Sequence, residues 1–118
     1  MKLRVLPLIA ALAVFPTSAS AEDVRSQAES QVEFGIRVAQ NGLWKEATYH
    51  WDKAVKLDPT YAAAWNNLAI GYEHEGRFEE AQKAYERALE LDPKNLYIRQ
   101  NFDLFKEIND RTKRRSNR

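Results

Sequence analysis

The chain has 118 residues, with 18 Lys and Arg against 17 Asp and Glu, a formal net charge of +1 and no cysteine. Near-neutrality argues against a strongly basic nucleic-acid binder and against an acidic solvating chain. The missing thiols exclude disulfides, thiolate catalysis and Cys-based metal sites, and the length allows one domain with a modest core.

The first element is a leader over residues 1–21. Lys2 and Arg4 form a positive front, Val5 to Phe15 is an uncharged apolar run, Pro16 breaks it, and Ala19-Ser20-Ala21 supplies small residues at a cleavage position. These are the three parts of a secretory signal in order. The run of 11 residues is well short of the ~20 that span a bilayer as a helix. The expectation is a bacterial signal cut after Ala21 and a periplasmic or secreted product. Residues 22–27 are expected to be a short lead-in.

From Ala28 the chain repeats itself with a period of 34. Ala28, Ile36, Gly42, Glu46, Ala47, Ala54, Leu57, Asp58 and Pro59 fall on Ala62, Ile70, Gly76, Glu80, Ala81, Ala88, Leu91, Asp92 and Pro93. Such a period marks a stacked supersecondary unit. Apolar residues at three- and four-residue spacing predict two helices in each unit. Gly42 and Gly76 close the first of each pair, where a positive φ is needed. The second helices are expected from about Trp44 to Leu57 and from about Phe78 to Leu91, ended by Asp58-Pro59 and Asp92-Pro93. Ala47 and Ala81 are small enough to let a second helix close on Gly35 and Ala69 of the first. The aromatics Trp44, Trp51, Trp65, Tyr72, Phe78 and Tyr85 stand at repeat-equivalent positions and read as core.

The run Trp65-x-x-Leu68-Ala69-x-x-Tyr72, followed by Ala81-x-x-x-Tyr85, Ala88 and Pro93, resembles a tetratricopeptide repeat (TPR). It departs from the usual pattern at Ala69 and Tyr85. The upstream run Phe34-Gly35-x-x-Val38, Ala47-x-x-x-Trp51, Ala54 and Pro59 is similar, with Gln31 where a tryptophan usually stands. The resemblance implies an all-α helix-turn-helix solenoid: one unit over 28–61, a second over 62–95, and a capping half repeat over 96–112, leaving 113–118 as a disordered basic tail. In the cap, Ile98, Phe102 and Phe105 should cover the last pair. Tyr97, Leu104 and Ile108 make a second apolar line, read first as part of a wide buried face and alternatively as an exposed strip for a partner or a second copy of the chain.

No catalytic constellation emerges. The serines outside the leader sit in no strand-to-helix elbow, and there is no glycine-rich phosphate loop. His50, four residues after Glu46, reads as a surface pair rather than a metal site, and His74 as a solvated helix-end residue. Glu79, Glu80, Glu86 and Glu90 interleave with Lys83 and Arg87 as a solvated face. The expectation is no enzyme, no cofactor, no metal and no small-molecule substrate.

What is left is binding. The resemblance implies a concave surface lined by the first helix of each pair. The groove candidates are Val32, Glu33, Ile36, Ala39 and Gln40, then Ala63, Asn66, Asn67, Ile70, Glu73 and His74, continued by Tyr97, Gln100, Asn101, Leu104 and Glu107. Asn67 could bond a ligand backbone or tie down a neighbouring helix. Cations that would grip a C-terminal carboxylate in some such grooves are missing, since the matching positions hold Val32, Ile36, Asn67, Tyr97 and Asn101. An apolar strip of Val32, Ile36 and Ile70 with acidic and amide edges suits an apolar, neutral-to-basic peptide or helix, and the expected role is an exported, non-enzymatic scaffold that docks such a protein partner in the bacterial cell envelope. Two alternatives stand beside it. Arg111, Lys113, Arg114, Arg115 and Arg118 could attach the chain to an anionic surface such as a membrane or cell-wall polymer, or the last helix could mediate homo-oligomerisation. Residues 22–110 carry 11 basic against 17 acidic side chains, and 111–118 carry five cations and no acid. The neutral total conceals an acidic body and a basic end.

Overall fold

In the computed structural model, which describes Lys2 and residues 18–118, the leader expected over 1–21 lies largely outside the described residues. The rest forms five helices: α1 (Ala21–Gln40), α2 (Trp44–Leu57), α3 (Ala62–His74), α4 (Phe78–Leu91) and α5 (Leu96–Ser116). No strand occurs among the described residues. Helix α1 pairs with α2 and α3 with α4, α2 packs on α3, and α5 closes over α4 and α3. This is the all-α repeat solenoid expected from the period.

The turns within the two pairs are the same object built twice. Gly42 and Gly76 have φ of 79° and 72°, the left-handed region that only glycine enters cheaply. The amides of Gly42 and Leu43 donate to the carbonyls of Ala39 and Val38, and those of Gly76 and Arg77 donate to Glu73 and Tyr72. Both are Schellman closures.

Small residues set the distance inside each pair. The Trp51 indole sits on Gly35, where a Cβ would fall 2.4 Å from its Nε1. That Nε1 donates to the Val32 carbonyl at 3.1 Å, which locks the ring against α1. Ala47, Ala54, Ala81 and Ala88 are completely buried, so helix backbones meet with little between them.

The corner between the units is tied by Asp58. Its carboxylate accepts from the Thr60 hydroxyl at 2.6 Å and the Thr60 amide at 3.0 Å, and from Arg25 Nε at 2.6 Å. The Arg25 guanidinium also lies 4.6 Å from the Tyr61 ring centroid, so one corner joins α1, α2 and α3. The Thr60 hydroxyl bond, aided by Arg25, holds the Asp58 carboxyl below its ordinary value against the opposing effect of burial. A depressed folded-state pKa stabilises the protein above the unfolded value of ~3.9 and loses that stabilisation as pH falls through the folded value. Asp58→Asn should therefore cost about 1–3 kcal/mol at pH 7, the range for a hydrogen-bonded charged group. The difference from the unsubstituted protein should shrink below pH ~4. Urea unfolding of both proteins from pH 3 to 7 checks this, and a pH-independent difference would contradict it.

Two boundaries differ from expectation. Residues 22–27 are not a lead-in. Helix α1 already starts at Ala21 because Ser20 accepts from the Asp23 amide while Asp23 reaches back to the Ser20 amide, a capping box. Residues 113–116 of the expected disordered tail, with 112 before them, are the last turns of α5. The Arg111–Glu107 pair four residues apart and three cations at the helix C-terminus favour continuing the helix over ending it.

The closing role of α5 is written on both its faces. Ile98, Phe102 and Phe105 are buried, and the two rings pack with Ala69, Ala81, Ala84 and Tyr85. On the side where α1 and α3 receive their partner helices, the repeat-equivalent positions hold Asp103 in place of Gly35 and Ala69, and Lys106 in place of Val38 and Tyr72. Lys106 pairs with Asp103 at 3.2 Å and lies over the Phe102 ring at 4.4 Å. That face is built for water rather than for another helix. The wide buried face is not found, however. Tyr97, Leu104 and Ile108 are 64%, 57% and 54% exposed.

Candidate concave binding surface

Helices α1, α3 and α5 lie in repeat-equivalent places, so residues 34 apart stand side by side. Ile36, Ile70 and Leu104 form one such row. Ile36 and Leu104 are exposed and Ile70 is half-buried. Tyr97, Asn101 and Ile108 continue the same stripe along α5, as Ala63, Asn67 and His74 do along α3. The apolar line on α5 and the expected groove are therefore a single surface.

Between α1 and α3 this surface opens into a cleft of about 330 Å³ lined by Ile36, Ala39, Gln40, Trp44, Trp51, Asn67 and Ile70. Trp51, buried, and Trp44, half-buried, form its indole lining. Ile36 and Ile70 face each other across it, and the amides of Gln40 and Asn67 supply the polar groups. Asn67 Nδ2 donates to the Ala63 carbonyl of its own helix at 2.8 Å, so the structural bond foreseen for it runs within α3 and not to a neighbouring helix. Of the expected groove residues, Ile36, Ala39, Gln40, Asn67 and Ile70 are brought together here. Trp44 and Trp51 were read only as core, because their repeat-equivalence to Phe78 and Tyr85 pointed inward and gave no sign of an adjoining opening.

At the equivalent place between α3 and α5 a larger side chain replaces alanine. Glu73 stands where Ala39 leaves space, and its carboxylate accepts from the Tyr85 hydroxyl at 2.6 Å. Burial pushes the Glu73 carboxyl above its ordinary value, with the Tyr85 bond acting the other way. Burial likewise pushes the Tyr85 phenol upward, reinforced by Glu73. Glu73 thus acts as a half-buried plug as much as a surface acid.

Two groove assignments are corrected. Val32 is 5% exposed and Asn66 2%, so neither lines an open surface. Both occupy the repeat position that faces the following first helix: Val32 is covered by α3, and Asn66 meets α5 through a bond from Asn101 Nδ2 at 3.2 Å. Their equivalent Gln100 is exposed. Glu33, Tyr97 and Leu104 are exposed as expected, as is Glu107, which is paired with Arg111. Ala63 is half-buried.

The histidines take other places. His50 does not pair with Glu46. Its Nδ1 meets Gln31 Oε1 at 2.8 Å, and its ring lies edge-on to Phe34 with centroids 4.4 Å apart. His74 is exposed but stacked flat on Trp44, centroids 3.4 Å apart, joining the end of α3 to the start of α2. Among the aromatics read as core, Trp51 and Tyr85 are buried, Trp44, Trp65 and Tyr72 are half-buried, and Phe78 is exposed at 44%. The Phe78 ring lies beside Phe105 of α5, with centroids 6.4 Å apart.

Comparison with known proteins agrees with this architecture. A tetratricopeptide repeat profile matches residues 62–95. An uncharacterized protein of Methanocaldococcus jannaschii is 31% identical over 77 residues, 65% of this chain and 90% of that protein. A chloroplastic tetratricopeptide repeat domain-containing protein of Arabidopsis thaliana is 33% identical over 73 residues, 62% of this chain but 24% of its own length. Among solved structures, the Arabidopsis OM64 TPR domain superposes with a TM-score of 0.68 at 22% identity, covering 76% of this chain and 74% of that one. That last likeness is one of fold.

Proposed function

We propose that this chain, which belongs to the tetratricopeptide repeat family, is a non-enzymatic scaffold of the bacterial cell envelope that docks a protein segment on its concave surface. The observation that carries this reading is the Ile36–Ile70–Leu104 row with the open cleft beneath its first two members. A row of apolar side chains left in water, backed by indoles and edged by amides, suits an apolar segment whose backbone bonds Gln40 and Asn67. The cleft is large enough for one bulky side chain, which makes it a natural anchor position. Export is supported by the three-part leader.

The test starts from in-cell crosslinking on fractionated cells to obtain the partner and its compartment. The purified protein and its Ile36→Glu, Ile70→Glu double variant are then titrated with that partner. The variant should bind at least about tenfold more weakly, since each change places a charge in an apolar contact. Circular dichroism establishes that it still folds. Unchanged affinity would sink the proposal.

A further inference from the structure

The concave surface carries opposite charge at two diagonal corners. On α1, the helical repeat of about 3.6 residues per turn puts Glu22, Glu29 and Glu33 on the stripe that includes Ile36, and all four are exposed. Glu29 and Glu33 are the repeat-equivalents of Ala63 and Asn67, which lie on the stripe of α3 that carries Ile70. Arg25, at the edge of this stripe, is occupied by Asp58 and Tyr61 and leaves these carboxylates uncompensated.

On α5 the same periodicity carries the Leu104–Ile108 line into arginine. Arg111 and Arg115 follow on that stripe with Arg114 beside it, within about 100° of one another, and all are exposed; Arg111 is paired with Glu107, and Arg118 lies beyond the end of the helix at Ser116. Lys113 points elsewhere, toward Glu79 and Glu86 of α4. The basic end is thus a helix with one arginine face, not a diffuse cationic tail.

Glu29 stands seven residues before Ile36, and Arg111 seven residues after Leu104. At 1.5 Å per residue each corner lies about 10 Å from the apolar row, in opposite directions along the helices. With neighbouring helices about 10 Å apart, the diagonal from Glu29 to Arg111 is roughly 30 Å, the length of an α-helix of about 20 residues.

Resting on the reading of this surface as a docking site, we infer that it accepts an amphipathic partner helix in one direction: basic N-terminal end over Glu29 and Glu33, apolar middle on Ile36, Ile70 and Leu104, acidic C-terminal end on Arg111, Arg114 and Arg115. The partner's own dipole agrees, its positive end lying over carboxylates and its negative end over arginines. Arginine forks suit carboxylates in particular. An anionic bilayer or a nucleic acid fits worse, because it would have to meet Glu22, Glu29 and Glu33 on the same face.

The test uses two end-blocked, fluorescently labelled 20-residue peptides with the same apolar middle. One carries lysines in its first third and glutamates in its last; the other has them exchanged. The second is the better isolated helix, so preference for the first cannot come from helix propensity. The first should bind at least tenfold more tightly at low salt, and the gap should close by about 0.5 M salt as the charges are screened. In the variant Glu29→Arg, Glu33→Arg, Arg111→Glu, Arg115→Glu the order of the two peptides should reverse. Equal binding of both, abolished by Ile36→Glu with Ile70→Glu, would overturn the direction while leaving the docking surface. Binding of neither would overturn the inference, as would cosedimentation with phosphatidylglycerol vesicles that is lost on truncation after Asp110.

Discussion

Replacing Trp51 with alanine should lower the unfolding free energy by about 3–5 kcal/mol, the range for deleting a large buried aromatic. The ring is 2% exposed, sits on Gly35 where no Cβ could fit, and holds the Val32 carbonyl. Its loss leaves a cavity against α1 and a buried acceptor without its donor. A companion change works from the other side of the contact. Gly35→Ala gains up to about 1 kcal/mol of helix propensity, but it forces a methyl to within 2.4 Å of the indole nitrogen. Overpacking of that kind costs about 1–3 kcal/mol, so strain should win and the variant should be net destabilised. The same indole lines the cleft, so Trp51→Ala should also weaken partner binding beyond what stability explains. Denaturant unfolding and titration on the folded fraction separate the two effects. A Trp51→Ala protein within 1 kcal/mol of the unsubstituted one would show that the ring is not the keystone of the first pair.

The double variant Phe102→Ala, Phe105→Ala should be largely unfolded at 25 °C. Each single change costs about 3–5 kcal/mol, and the two together approach the 5–15 kcal/mol that holds a whole domain. The rings stack with centroids 6.4 Å apart, and both lie against Tyr85, at 5.4 and 5.6 Å. Their losses will therefore not add simply. What fails is the end of the array. Without these rings Ala69, Ala81, Ala84 and Tyr85 would face water, and a short solenoid has few other interfaces to compensate. Loss of far-UV helicity and of a cooperative urea transition is the expected result. A cooperative transition retained with less than about 3 kcal/mol lost would mean that α5 is an accessory and not the cap.

The groove was only partly legible, and the reason is visible in two residues of one helix. Val32 and Ile36 are both apolar and four positions apart on α1, and both were expected to line the groove. One is 5% exposed and the other 38%, because Val32 is packed into the core beside Leu68 of α3 whereas Ile36 lies on the rim of the cleft between α1 and α3. Periodicity identifies an apolar stripe, but its breadth does not say how closely the neighbouring helix packs along it. Glu73 and Ala39 make the same point from the polar side. They are repeat-equivalent, yet one plugs its site through Tyr85 and the other leaves a cleft. That outcome depends on the pairing of side chains from different helices. The basic end differs from expectation for a related reason. Charge composition suggested disorder, whereas the register of Glu107 with Arg111 and the helix already running beneath it favour continued helix.

The sequence by itself determined the five helices, their pairing in 34-residue units, the glycine closures and the buried alanines. Each of these is a local matter of turn chemistry, periodicity and side-chain size. Only the tertiary structure decided which apolar residues remain in water, which of two equivalent clefts stays open, and that the carboxylates of α1 and the arginines of α5 share one surface. Exposure and charge juxtaposition are properties of the gaps between helices. Those gaps are set by what packs across them, and by no single stretch of chain.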